Sequence, residues 1–222
     1  FLSLIYRFMV TVQAEPTERR CAVLALTMEN GLGREDLKLP WAPNRLHADM
    51  AFLSLITTLG HDYNDGVFRF KPNNDSMNTV LMGRRTWESL PGKMRPLPNR
   101  RNLVLTSNDS NTIIGAEIVK SLSEAEDRVT SGALYVLGGQ KVYEEALDRK
   151  YEFFLTKIEE QPDTVSADIY FDALESCPKV NITDNVYAEL VMLKPELKEK
   201  TRLVDNQIVE GPFKYSFYYV KP

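Results

Sequence analysis

The chain has 222 residues, about one and a half domains at roughly 150 residues each. Hydrophobic residues make up 43% and charged residues 26%, enough apolar material for a core and too much for a largely disordered chain. A net charge of −4 gives no support to a nucleic-acid partner. Cys21 and Cys177, with His47 and His61, supply neither a disulfide framework nor metal-ligand spacing. A reduced intracellular enzyme without a metal is the simplest class.

The chain opens at Phe1, which suggests a processed terminus. Residues 1–12 are apolar but carry Arg7 and are too short to span a bilayer; they are expected as an appended strand or loose part of an N-terminal arm, residues 1–20. No other run approaches eighteen apolar residues, so no membrane span is expected. Residues 21–26 are continuously apolar and predict a short strand buried on both faces. Residues 28–40 form a loop with Gly31 and Gly33. Residues 44–59 predict a helix with Asn44 as N-cap, and the polar segment 61–78 a surface insertion. Then come a strand at 79–82, a turn at 83–85 and a short helix at 86–90. Pro91, Pro96 and Pro98 make 91–101 a loop. Strands at 102–106 and 113–119, a helix at 123–130 and a strand at 133–137 follow. Gly138-Gly139 opens a helix at 140–147, before a strand at 152–158. Residues 187–193 and 214–220 read as strands with no helix between them, an antiparallel pair at the sheet edge.

Alternating strands and helices imply right-handed crossovers and ligands at the carboxyl ends of the strands. The expected fold is α/β: a single domain, residues 21–222, with a central, mostly parallel eight-stranded sheet, flanking helices and an antiparallel C-terminal edge.

Asp49 is the most informative helix position. Leu46, Leu53 and Ile56 lie three before, four after and seven after it, so the carboxylate shares a stripe with three aliphatic side chains. A charge there is costly unless paired or met by a ligand; burial would raise its pKa and suit it to proton handling or to a cationic heterocycle. A partly exposed first-turn Asp favoured by the helix dipole fits the segment equally. Gly83-Arg84-Arg85-Thr86 joins a strand to a helix, where free N–H groups and two arginines suit phosphate and Thr86 can cap the helix. Gly138-Gly139 is a second such turn, with N–H groups of Gln140, Lys141 and Val142 at the helix start. Taken singly, each turn also reads as ordinary structure; together they favour a dinucleotide. The Gly-x-Gly-x-x-Gly fingerprint is absent. Arg100 could hold a carboxylate in a bidentate contact or simply be solvated.

Together these segments resemble dihydrofolate reductase, most closely its fungal members. Gly31-Leu32-Gly33 with Leu39-Pro40-Trp41 is similar to that family's mobile loop. Met82 to Leu90, Arg95-Pro-Leu-Pro-Asn-Arg100 and Leu137-Gly-Gly-Gln-Lys-Val-Tyr143 resemble its cofactor and folate segments in the same order. The resemblance, from about Cys21 to Val220, implies reduction of 7,8-dihydrofolate to 5,6,7,8-tetrahydrofolate by hydride transfer from NADPH to pterin C6, serving one-carbon metabolism and thymidylate synthesis. It implies that Asp49 binds the pteridine and assists protonation at N5 through water near Trp41, supported by Thr156. Leu53, Leu90 and Leu97 would pack the substrate rings, and Arg100 would grip the glutamate α-carboxylate. Arg84, Arg85 and Thr86 would hold cofactor phosphates, with Arg84 preferring NADPH to NADH. Gly138, Gly139, Gln140, Lys141 and Val142 would carry the pyrophosphate, the Gly-Gly peptide being cis. Ala25, Leu32, Gly33, Thr106, Ser107 and Tyr143 complete the cofactor surface, Tyr143 reading equally as core. Antifolate inhibitors are implied as further ligands, and a cytoplasmic monomer is expected, with a mitochondrial pool left open.

The chain departs from the family pattern in four places. Asp49 stands eight residues after Trp41, the loop from Gly33 to Pro40 is lengthened, Ser107 replaces a basic residue common in eukaryotic members, and Asp168-Ile169 replaces Asp-Thr. Two rivals remain: a reductase of the same fold acting on a riboflavin precursor, which would need neither Asp49 nor Arg100, and a catalytically dead nucleotide-binding module.

Overall fold

The computed structural model describes residues 19–71, 77–108 and 112–222. The arm expected at residues 1–12 lies outside the described residues, as do 72–76 of the insertion. In chain order the elements begin with β1 (Arg20–Leu26), β2 (Gly31–Gly33), α1 (His47–Leu59), β3 (His61–Asn64), β4 (Val67–Phe70), β5 (Thr79–Gly83) and α2 (Arg84–Ser89). A 3-10 turn at Gly92–Met94 precedes β6 (Arg101–Leu105), β7 (Glu117–Val119), α3 (Leu122–Asp127), β8 (Leu134–Val136), α4 (Gln140–Asp148) and β9 (Glu152–Glu160). The last part holds β10 (Ile169–Tyr170), β11 (Lys179–Asn181), α5 (Thr183–Leu193), a 3-10 turn (Pro195–Glu199), β12 (Arg202–Val204), β13 (Gln207–Glu210) and β14 (Phe213–Val220).

Strand order in the main sheet is β12-β13-β14-β9-β1-β8-β5-β6-β7, with β11 also on β14. That is ten strands among the described residues where eight were expected. β9, β1, β8, β5, β6 and β7 run parallel, and β11 to β14 supply the antiparallel edge. β1 sits between β8 and β9, which is why its apolar run has no polar alternation: Cys21 and Val23 enter one face's core, Ala22, Leu24 and Leu26 the other's. Among the described residues no helix is long and apolar enough to cross a membrane.

Three expectations are corrected. Residues 187–193 are helical, within α5: Thr183, Val186, Tyr187 and Leu190 are buried at the i, i+3, i+4, i+7 spacing of a helix face, which the density of aromatic and branched side chains concealed. The segment after α1 is more than a surface excursion, because β3 and β4 pair as a hairpin whose alternation puts Phe68 and Phe70 inward. Their rings lie 5.6 and 6.1 Å from Phe52 of α1. Third, α1 begins at His47; Leu46 occupies the N-cap and makes no side-chain cap bond, so Asn44 does not cap it.

Residues distant in sequence also meet: potential ligand atoms of Cys21, His61 and Glu152 lie within 4.8 Å of one another. His61 Nδ1 is 3.0 Å from the Tyr135 hydroxyl and Glu152 accepts from Tyr219 at 2.8 Å. Burial pushes the Cys21 thiol far up and holds the His61 ring neutral, with a pKa lowered to about 3. Cys21 and His61 are buried and Glu152 is partly exposed, and the trio sits where β1 and β9 begin, away from the turns described next.

Candidate active site

All parallel strands point their carboxyl ends to one edge, and the two strand-to-helix turns meet there because β5 and β8 are neighbours. Gly83 N donates to Gly138 O at 2.7 Å. The Gly138–Gly139 peptide is cis, and Gly138 has φ +117°, a region that disfavours any side chain. A Cβ on Gly139 would stand 3.3 Å from Thr86 Oγ1, so glycine lets the two backbones and this hydroxyl converge.

Two details of the cradle differ from expectation. Val142 N and Tyr143 N both donate to Gly139 O, at 2.9 and 3.1 Å, because that carbonyl starts the helical ladder; only Gln140 and Lys141 remain as first-turn donors. Thr86 does not cap α2, whose N-cap is Gly83; its hydroxyl faces the glycines instead. Val142 and Tyr143 are buried, and the Tyr143 hydroxyl donates to Val23 O at 2.8 Å, so both side chains belong to the core. Arg84 forms an i,i+4 ion pair with Glu88 at 2.7 Å, an exposed contact worth only about 0.3–0.5 kcal/mol and easily exchanged for a phosphate. Arg85 donates to Glu35 O at 3.3 Å. Thr106 directly follows β6, its N bonded to Val119 O, and Ser107 is exposed beside it. Lys120, which the sequence reading missed, follows β7 at the same edge and reaches Asn108 O at 3.2 Å. The cation lost at Ser107 thus has a neighbour on the adjacent strand end.

The other half of the site is built on α1. Asp49, Leu53 and Thr57 follow at four-residue spacing, so they line one stripe. Asp49 as a whole residue is only partly exposed, and its carboxyl is the buried part. Burial pushes its pKa up to about 6, Glu210 adds to the rise, and the nearby Thr156 hydroxyl opposes it. Thr156 stands on β9 opposite Ala25 of β1. Its buried oxygen reaches no protein partner at hydrogen-bonding geometry, a position suited to a ligand's polar edge. Leu53 and Leu90 are half-buried, while Leu97 and Trp41 are buried in the same core.

Arg100 bonds to Thr57 Oγ1 at 2.8 Å and to Pro98 O at 2.9 Å. Both acceptors are neutral, and burial lowers the pKa of the guanidinium. Eight residues at roughly 1.5 Å each put about 12 Å between the acid and the level of Arg100. A ligand able to bridge an acid and a guanidinium so placed would carry donors at one end and an anionic group at the other. β2 pairs antiparallel with β10, and Asp168 accepts from Glu35 N at 2.9 Å. The loop is therefore steadied by the aspartate itself, with Ile169 beside it. Gly31 is required in this pairing: a Cβ there would lie 2.4 Å from Ala167 Cβ.

The family model for dihydrofolate reductase matches residues 21–185. The chain belongs to the dihydrofolate reductase family. It is similar to the dihydrofolate reductase of Candida albicans, with 30% identity over 204 residues, 88% of this chain and 92% of that protein. Against the dihydrofolate reductase of Mycobacterium tuberculosis it is 43% identical over 109 residues, 49% of this chain and 53% of that one. Among solved structures, Schistosoma mansoni dihydrofolate reductase superposes with a TM-score of 0.59 at 24% identity, covering 92% of this chain and 99% of that one. A dihydrofolate reductase from Enterococcus faecalis complexed with NADP(H) and RAB-propyl gives 0.61 at 22% identity, covering 91% and 95%. The dihydrofolate reductase fold thus extends beyond the matched segment, through the antiparallel edge.

Proposed function

We propose that the chain reduces 7,8-dihydrofolate to tetrahydrofolate with NADPH, transferring hydride to C6 and a proton to N5, and so supplies one-carbon metabolism and thymidylate synthesis. The observation that carries this reading is the enclosed Asp49 carboxyl, whose pKa of about 6 leaves it able to hold or release a proton near neutrality. Bound NADPH would supply the hydride from nicotinamide C4.

The chain's own residues do the rest. Asp49 accepts from the pterin N3–H and exocyclic amine, while Thr156 offers its unpartnered hydroxyl beside it. Leu53, Leu90 and Leu97 exclude water around the rings, and buried Trp41 borders the path by which a water carries the proton to N5. Arg100 takes the α-carboxylate. Gln140 and Lys141 N–H groups, Thr86, Arg84 and Arg85 receive the cofactor's phosphates, with Ala25, Leu32, Gly33, Thr106 and Ser107 along its length. The glycine cradle under Thr86 is the feature that fits such a group. Antifolates would occupy the Asp49 end, the chain would work as a monomer, and the unpaired thiols of Cys21 and Cys177 suit the reducing cytoplasm.

Following absorbance at 340 nm with dihydrofolate and NADPH tests the reading: steady oxidation is expected, and a folded chain that oxidises no NADPH would overturn it. In the same assay Arg84→Ala should raise KM for NADPH roughly tenfold or more, the scale of one charged hydrogen bond, and KM for NADH far less. Equal effects on both cofactors would remove Arg84 from the 2′-phosphate.

A further inference from the structure

The start of α1 lacks a cap of its own, and its partner comes from the far end of the chain. Glu210, the last residue of β13, is buried and turns its carboxylate onto the first turn of α1. Its oxygens accept from His47 N at 2.7 and 2.9 Å and from Ala48 N at 3.5 Å. Oε1 lies 2.5 Å from His47 Nδ1, and Oε2 accepts from the Tyr215 hydroxyl at 2.6 Å. On the outer side, His47 Nε2 is 3.1 Å from Lys200 Nζ. Asp49 follows two residues after His47, in the same turn.

We propose that Glu210 is a positioning residue for Asp49: its carboxylate ties the first turn of α1 to β13 and sets the charge environment in which Asp49 works. The proposal rests on Asp49 being the proton-handling group of the proposed reaction. Geometry separates Glu210 from an ordinary cap. A Ser or Asn would satisfy the orphan N–H groups without a full charge. A carboxylate satisfies them and is favoured by the helix dipole, yet it also places an anion beside the acid, where like charge favours the protonated form. Four donors gather on Glu210: two backbone N–H groups, the His47 ring and the Tyr215 hydroxyl, with Lys200 behind the ring on His47 Nε2. Facing Asp49 are Glu210, Tyr143, Tyr215 and the Thr156 hydroxyl. Tyr143 is already committed to Val23 O, which leaves Glu210 as the charged neighbour.

The test needs no substrate. In the ligand-free chain labelled with 13C at the aspartate carboxyls, NMR reads the Asp49 titration directly, the Asp49→Asn spectrum identifying its signal. Glu210→Gln keeps the size and an acceptor for His47 N, so the fold should persist while the Asp49 midpoint falls by roughly half a pH unit or more. An unchanged midpoint would overturn the proposal. Hydrogen exchange in the unaltered chain gives a second reading that does not depend on the variant folding. His47 and Ala48 amides should exchange at least roughly tenfold slower than in an open helix end; exchange at the open rate would equally overturn it. Turnover keeps the two ideas apart. A midpoint that moves in a chain unable to reduce dihydrofolate would uphold Glu210 and sink the proposed reaction, whereas an active chain with an unmoved midpoint would do the reverse.

Discussion

Asp49→Asn is expected to lower dihydrofolate turnover at pH 7 by at least roughly tenfold and, in the same protein, to raise the melting temperature. Both effects have one cause. In the folded chain the carboxyl has a pKa of about 6 against an ordinary 3.8, chiefly through burial, so the fold favours the protonated form. Stability from this group is therefore fully present below pH 3.8 and is lost as pH rises through 6. At pH 7 the folded chain carries an ionised Asp49 at a cost on the order of 3 kcal/mol. An amide of the same shape removes that cost, which for a chain of this length corresponds to about 6–12 °C. Melts of both proteins at pH 7.5 and pH 4 check the sign: the difference should be largest at the higher pH and nearly vanish at the lower. A variant that melts alike at both, or that keeps full turnover, would contradict the assignment of Asp49.

Arg100→Leu should act on the other end of the substrate. The guanidinium is half-buried between two neutral acceptors, a cation prepared for an anion that the protein itself does not provide among the described residues. Losing a charge-assisted contact costs roughly 1.5–3 kcal/mol, so KM for dihydrofolate should rise by about ten- to a hundredfold with kcat little changed, because the tail is distant from the reacting atoms. Stability should hardly move: Thr57 keeps its bond to Leu53 O at 2.7 Å, and leucine suits the half-buried site. A reduced pterin substrate without the glutamate tail separates specific from general damage. Its KM should be the same in both proteins, and a parallel rise would mean that Arg100 supports the fold of the cleft instead of the carboxylate.

What the sequence disclosed was chiefly what is encoded locally. The apolar run from Cys21 to Leu26, the Gly138-Gly139 pair and the prolines between 91 and 98 each act over a few residues, so strands, turns and loop could be placed from them. Asp49 stood out because one carboxylate interrupts an aliphatic stripe. The failures have physical causes of two kinds. At α5 two periodicities compete, and the aromatic and branched side chains that favour strands also satisfy the helical spacing that burial enforces. His61, Glu210 and Lys120 depend instead on which strand lies beside which. Nothing near Glu210 in sequence shows that β13 will lie against the first turn of α1, and nothing near Lys120 shows that β7 will end next to Ser107.

The long-range seating of α1 also orders events in time. During synthesis Asp49 and its helix leave the ribosome well before Glu210 exists, and β14, which completes the sheet beside β9, is made later still. Until that closing hairpin folds back, the first turn of α1 has no partner for the His47 amide and no fixed place for the acid. The residues of the glycine cradle, by contrast, all lie before residue 144, so they are made first and the partner of α1 is made among the last.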